Sequence, residues 1–220
     1  VKFIEHRVAD QRVVRLIQKW LNAGALVDGA WTRSEEGTPQ GGVISPLLAN
    51  VYLHYVFDLW VQRWRRREAT GDMIVVRYAD DIIVGLEHET DAHRFRDAMR
   101  ARLQEFSLSL HPDKTRLFEF GRHAAARRAQ RGLGKPETFN FLGFTFICGT
   151  TRAGKFQIKR KTRRDRMRAK LKMIKEEMWK RMHQPIPAQG KGLRRVVQGY
   201  FNYHAVPTNG RALHVFRHHV

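Results

Sequence analysis

Asp80 and Asp81 stand side by side after Tyr78-Ala79, between the apolar runs Met73-Ile74-Val75-Val76 and Ile82-Ile83-Val84-Gly85-Leu86. Adjacent carboxylates repel each other, so the pairing is costly unless a positive charge such as a divalent cation occupies the space between them. Their hard oxygens suit Mg²⁺, with Mn²⁺ as its substitute. The β-rich runs predict a hairpin with Ala79, Asp80 and Asp81 at its exposed tip. Upstream lies a glycine-rich loop, Gly37-Thr38-Pro39-Gln40-Gly41-Gly42-Val43-Ile44-Ser45-Pro46. Gly41 and Gly42 let backbone approach a base pair closely, Pro39 stiffens the approach, and Gln40 offers hydrogen bonds to a nucleotide or a template sugar. Together the pair and the loop suggest template-directed nucleotide transfer, with Asp80 a direct metal ligand and Asp81 a weaker or outer one. Either motif alone reads as an ordinary turn. Tyr78 has two readings, stacking near the end of a growing strand or filling the hairpin core.

The elements that must position these groups follow from periodicity. Apolar residues over 3–21 recur at helical spacing and predict one helix. Val27-Asp28-Gly29-Ala30-Trp31 reads as a turn into a short strand. Pro46 fits a first helical turn with Ser45 as cap, and Leu47, Leu48, Val51, Tyr52, Tyr55, Val56 and Leu59 predict a largely buried helix. Residues 90–106 form another helix, 116–120 a strand, 121–136 a mobile basic loop, and 139–146 a strand. From Lys159 to residue 181 the pattern predicts a long basic helix striped with Met167, Leu171, Ile174, Met178 and Met182. A linker over 185–192 and a helix over 193–203 follow. The class is α+β, an antiparallel sheet with packed helices, with a domain boundary near residue 150.

Lys and Arg number 41 against 21 acidic residues in 220, a formal charge of +20. That excess points to a polyanionic partner, and no run nears the roughly 18 apolar residues of a membrane-spanning helix. Lys159, Arg160, Lys161, Arg163, Arg164, Arg166 and Arg168 fall within ten positions with only Asp165 against them, the pattern of a nucleic-acid track. The single cysteine, Cys148, permits no internal disulfide and points to a reducing compartment, the cytoplasm. The 11 histidines have no metal-ligand spacing. The chain opens Val1-Lys2-Phe3-Ile4 with neither a methionine nor a signal segment, which reads as a start inside a longer protein.

These motifs resemble the group II intron reverse transcriptase/maturase family, in order and through nearly the whole chain. The stretch from Gly37 through Pro46 to Asn50 is similar to that family's template-and-nucleotide loop, and Arg77-Tyr78-Ala79-Asp80-Asp81 to its metal-binding hairpin. Pro112-Asp113-Lys114-Thr115 resembles the region bearing its lysine, and Phe141-Leu142-Gly143-Phe144 its primer grip. The resemblance implies a partial right-hand polymerase palm over 1–149 and a basic helical thumb, the maturase region, over 150–220. It implies an RNA-directed DNA polymerase of bacterial origin that uses an RNA template, a DNA primer, dNTPs and Mg²⁺, and that binds intron RNA through Lys159, Arg160, Lys161, Arg163, Arg164 and Arg168. Pro39, Gln40, Gly41, Gly42, Tyr78 and Ala79 would contact substrate and template. Lys114 would protonate or neutralise the departing pyrophosphate, or is simply a surface lysine beside a turn. Phe141, Leu142 and Gly143 would support the primer, although Phe141 and Phe144 also read as core. The family's fingers and its first catalytic strand, bearing a further aspartate, have no counterpart here, so the isolated 220 residues are expected to polymerise little while keeping salt-sensitive RNA affinity. The alternative is an intron splicing cofactor that binds RNA without polymerising.

Overall fold

A computed structural model describes residues 1–22, 25–27, 30–32 and 44–220, the segments 25–27 and 30–32 by backbone alone. Pro39, Gln40, Gly41 and Gly42 therefore lie outside the described residues. Packing divides the chain into two compact units, Val1–Arg116 and Leu117–Val220.

In the first unit, α1 (Lys2–Glu5) and α2 (Gln11–Leu21) replace the single helix expected over 3–21. Asp10 is the reason: its extended backbone, with a carboxylate accepting from the Arg12 N–H at 2.8 Å, caps a new helix start. Strands β1 (Ala25–Val27) and β2 (Ala30–Thr32) pair antiparallel. Helix α3 (Ser45–Leu53), a π-helical turn (His54–Asp58) and α4 (Leu59–Arg67) then follow without a break. Pro46 sits in the first turn as expected, but Ser45 is the first helical residue rather than the cap, a position held by Ile44. Nor is α3 largely buried: Leu47 is 59% exposed, and full burial begins only at Val56 and Phe57 inside the π turn. The extra residue of a π turn rotates the downstream helix by about 100°, so one straight stripe cannot describe both halves.

Strands β3 (Met73–Tyr78) and β4 (Asp81–Leu86) form an antiparallel hairpin, and α5 (Glu89–Gln104) follows where the stripe of Phe95, Met99 and Leu103 placed it. Those three residues pack with Val56, Phe57, Val61, Trp64 and Met73 into the core beneath the hairpin. Each fully buried apolar side chain there is worth roughly 1.5–3 kcal/mol, and Trp64 meets Phe95 edge-on at 5.0 Å. At the hairpin's base, buried Asp91 accepts from the Thr70 N–H at 2.7 Å and the Thr70 hydroxyl at 2.9 Å, tying α5 to the loop that enters β3. The Thr70 N–H holds the Asp91 carboxyl below the usual carboxylate range.

In the second unit, residues 116–120 are not a strand. Phe118 and Phe120 instead pack on Phe139 at 5.9 and 5.0 Å. The basic segment 121–136 contains α6 (Ala124–Gln130), because three alanines beside two arginines are strong helix formers. Strands β5 (Phe139–Phe141), β6 (Phe144–Thr150) and β7 (Phe156–Thr162) make an antiparallel sheet in that order. Residue 150, where the composition changes, ends a strand that pairs along its whole length with β7, so the packing boundary precedes it.

Lys159, Arg160 and Lys161 lie on β7, not at the start of a helix. Their segment is in register with β6, with Ile158 opposite Cys148, and α7 (Arg164–Lys180) begins only after the extended Arg163. Helix α8 (Ile186–His204) runs through the expected linker: Pro187 needs no N–H partner in a first turn, and Gly190 and Gly192 weaken the helix by about 1 kcal/mol each without ending it. The last helix, α9 (Gly210–His219), has no counterpart in the sequence reading. It contributes Phe216, which stacks on Tyr200 at 3.6 Å and completes a core with Ile174. Met167, Leu171 and Met178 of the expected stripe pack against that core, whereas Met182 is exposed. The class is α+β with antiparallel sheets, as expected.

Candidate active site

The β3–β4 register runs from Met73 opposite Leu86 to Tyr78 opposite Asp81, leaving Ala79 and Asp80 as a two-residue turn. Asp80 is thus in the turn and Asp81 is the first residue of β4, one step back from the expected tip. Ala79 has φ 53°, a left-handed conformation that costs a residue with a β-carbon roughly 1–2 kcal/mol. Positive φ at the first central position alone is the pattern of a II′ turn, which matches strand twist. Alternation sends Met73, Val75 and Arg77 to one face, and Ile74, Val76 and Tyr78 to the other. Tyr78 is 62% exposed, so it does not fill the hairpin core. As the cross-strand partner of Asp81, it shares that carboxylate's face.

Arg77 reaches back to the helix beneath. Its Nε and Nη2 donate to the two carboxylate oxygens of Asp58 at 2.7 and 2.6 Å, a bidentate fork. Its Nη1 donates to the Asn50 side-chain oxygen and to the Ala79 carbonyl, each at 2.9 Å. The Asp58 bond raises the Arg77 pKa above its ordinary value, so the guanidinium stays charged. His54 Nδ1 lies 3.4 Å from the same carboxylate. The nearest arginine in sequence is therefore committed to Asp58 and leaves the turn carboxylates free.

Asp80 and Asp81 are both exposed, and among the described residues neither side-chain carboxylate has a hydrogen-bond or ion-pair partner. Two unneutralised hard-oxygen donors at consecutive positions fit part of the ligand set of a hard divalent cation. Among the described residues no third His, Cys, Asp or Glu joins them in a cluster. Lys114 lies in an exposed turn over 112–114, closed by the Thr115 N–H donating to the His111 carbonyl at 3.0 Å. Among the described residues nothing links it to the hairpin.

The second unit carries a comparable turn. Leu142 and Gly143, between the paired Phe141 and Phe144, have φ 46° and 76°. Positive φ at both central positions is the type I′ pattern, unstrained for glycine but not for leucine. The Tyr203 hydroxyl donates to the Leu142 carbonyl at 2.9 Å, and the Arg163 N–H donates to the Gly143 carbonyl at 3.0 Å. The Tyr203 ring stacks on Phe144, 5.8 Å between centroids. Phe144 is buried, as a core reading required, while Phe141 is half-buried.

Of the residues expected to bind RNA, Lys161, Arg164 and Arg168 are exposed, and Lys159 and Arg160 are half-buried. Arg163 is not a free cation: its Nε and Nη2 bind both oxygens of Asp165 at 3.0 and 2.6 Å, which holds the Asp165 carboxyl below its usual range. A basic groove of about 480 Å³ lies between α7 and α8, lined by Arg166, Lys170, Arg195, Gly199 and Tyr203 among others. Sequence reading missed Lys170 and Arg195, although Arg166 with Lys170 and Arg195 with Gly199 and Tyr203 follow the four-residue spacing that shares a helix face. It missed Asp58 too, a lone acid in an apolar helix.

Residues 2–146 match the family described as reverse transcriptase (RNA-dependent DNA polymerase). A group II intron-encoded protein, LtrA, of Lactococcus lactis subsp. cremoris is 44% identical over 54 residues, covering 24% of this chain and 9% of that protein. Protein YkfC of Escherichia coli is 31% identical over 166 residues, covering 60% of this chain and 43% of its own length. An uncharacterised 91 kDa protein in a cob intron of Schizosaccharomyces pombe is 44% identical over 54 residues, with 24% and 7% covered. The chain thus spans less than half the length of each of these relatives. No helix among the described residues is long and apolar enough to cross a membrane. The chain belongs to the reverse transcriptase (RNA-dependent DNA polymerase) family, as a relative of group II intron-encoded proteins.

Proposed function

We propose that this chain carries the palm and thumb chemistry of an RNA-directed DNA polymerase, extending a DNA primer on an RNA template with dNTPs. The observation that supports this best is the pair of exposed carboxylates, without an ion-pair partner among the described residues, on a held, left-handed turn beside an arginine already committed elsewhere. Family members use divalent metal ions in general, and Asp80 with Asp81 would hold Mg²⁺, or Mn²⁺ in its place. Bound there, the ion would make the primer 3′-oxygen a better nucleophile and hold the triphosphate.

The chain's own groups do the rest. Tyr78, on the face of Asp81, offers an exposed ring for a base or sugar at the primer end. Ala79 carries the backbone of the turn. Pro39, Gln40, Gly41 and Gly42 would line the template and nucleotide. Lys114 would neutralise the departing pyrophosphate. Phe141, Leu142 and Gly143 would support the primer backbone. Lys159, Arg160, Lys161, Arg164 and Arg168, with the groove of Arg166, Lys170 and Arg195, would contact RNA phosphates, intron RNA included. In this reading the palm extends over 1–149 and the thumb over 150–220, within a cytoplasmic protein.

The test is primer extension on an RNA template by the full-length protein and its Asp80→Ala variant, with RNA affinity measured alongside. Loss of extension with RNA affinity kept within about twofold supports the reading. Extension at the parent rate overturns it.

A further inference from the structure

We infer that Arg77, braced by Asp58 and Asn50, is a positioning residue that fixes the direction in which the turn presents Asp80 and Asp81. The inference rests on the reading of those carboxylates as metal ligands. A guanidinium has five N–H donors, and four are engaged here: two on Asp58, one on Asn50, one on the Ala79 carbonyl. The last bond touches the turn itself. A peptide unit is planar, so the Ala79 carbonyl and the Asp80 N–H move together. Holding that oxygen restrains the torsions on either side of the peptide, after the Cα of Ala79 and before that of Asp80.

The brace depends on the π turn. Asn50 and Asp58 are eight positions apart, and at about 100° per residue they would sit about 80° apart around an uninterrupted α-helix. A π turn absorbs one residue, leaving effectively seven steps and a separation of about 20°. Both side chains then face β3, where the guanidinium meets them. Asp58 is the last residue of that turn, so the irregularity stands where the brace needs it. Arg77 and Asp58 are also shielded, with 15% and 26% of their side chains exposed, so solvent screens the fork less than it screens a surface pair.

Mn²⁺ serves as a spectroscopic probe of the carboxylate site, titrated into the protein and followed by the free-ion electron paramagnetic resonance signal. The parent is expected to bind, and Asp80→Ala to lose that site. Asp58→Asn, which removes the charge of the brace while keeping its shape, is expected to weaken Mn²⁺ by about 10-fold, the scale of residues that orient metal ligands. Arg77→Lys keeps the charge but not the fork and is expected to weaken it equally, which a purely electrostatic role would not produce. Should Asp58→Asn melt, Asn50→Ala, which strands no charge, is expected to weaken Mn²⁺ in the same direction by a smaller factor. If Asp80→Ala abolishes binding while the folded brace variants bind within twofold of the parent, the inference falls and the metal reading stands. If the parent binds no Mn²⁺, or Asp80→Ala binds as the parent does, the metal reading fails and takes the inference with it.

Discussion

Replacing Arg166, Lys170 and Arg195 together by glutamine empties the groove between α7 and α8 of its three cations. Each phosphate contact to a single strand contributes about 0.7 to the slope of log affinity against log salt. Three contacts therefore account for about 2 units of slope, and at 0.1 M salt for about a hundredfold in affinity. The assay is fluorescence anisotropy of a labelled single-stranded RNA between 50 and 300 mM salt, parent against triple variant. Arg163→Gln is the control, because that guanidinium is already bound to Asp165 and its loss should change the slope by less than about 0.3. A triple variant with parental slope and affinity would refute the reasoning. So would an Arg163 variant that lost as much slope as the triple one, since neutralised and free cations would then count alike.

Other outcomes follow from particular contacts. The Asp91 carboxyl titrates below its unfolded value, so the stability it contributes is fully present above the usual carboxylate range and is lost as pH falls through its lowered folded pKa. Asp91→Asn should therefore be less stable than the parent at pH 7 and converge with it as pH falls through that lowered folded pKa, as read by urea unfolding at each pH. Tyr203→Phe removes the bond to the Leu142 carbonyl but keeps the ring stack on Phe144. It should cost about 0.5–1 kcal/mol by urea unfolding, the low end for a bond that water can replace. A double change adding Leu142→Gly should shrink that cost, because glycine takes positive φ without strain.

Alternation and caps are the parts of this fold that the sequence encodes locally. The β3–β4 hairpin is legible in the β-branched runs flanking the aspartates, and α5 in Phe95, Met99 and Leu103 at helical spacing. The break at Asp10 is a cap signal hidden inside an otherwise continuous apolar pattern. Lys159, Arg160 and Lys161 read as helix because charge density hides the alternation of Phe156, Ile158 and Arg160, which β6 stabilises as strand. Glycines at 190 and 192 suggest a linker, yet packing of α8 on α7 and α9 outweighs their weak propensity. At the candidate site, Asp80 and Asp81 draw attention by residue type and adjacency alone. The brace from Arg77 to Asp58 does not announce itself, because it joins residues 19 positions apart and depends on a π turn that no local pattern marks.

The central claim is that the Asp80 oxygens touch the ion that serves nucleotide transfer, and changing the ligand atom tests it most directly. Asp80→Cys replaces a hard oxygen with a soft sulfur, which favours Cd²⁺ over Mg²⁺. With the change made in the full-length protein, single-nucleotide incorporation on an RNA template should be lost with Mg²⁺ and partly restored by Cd²⁺, with no such gain in Asp80→Ala. Incorporation by Asp80→Cys at the parent rate in Mg²⁺ alone would contradict the claim.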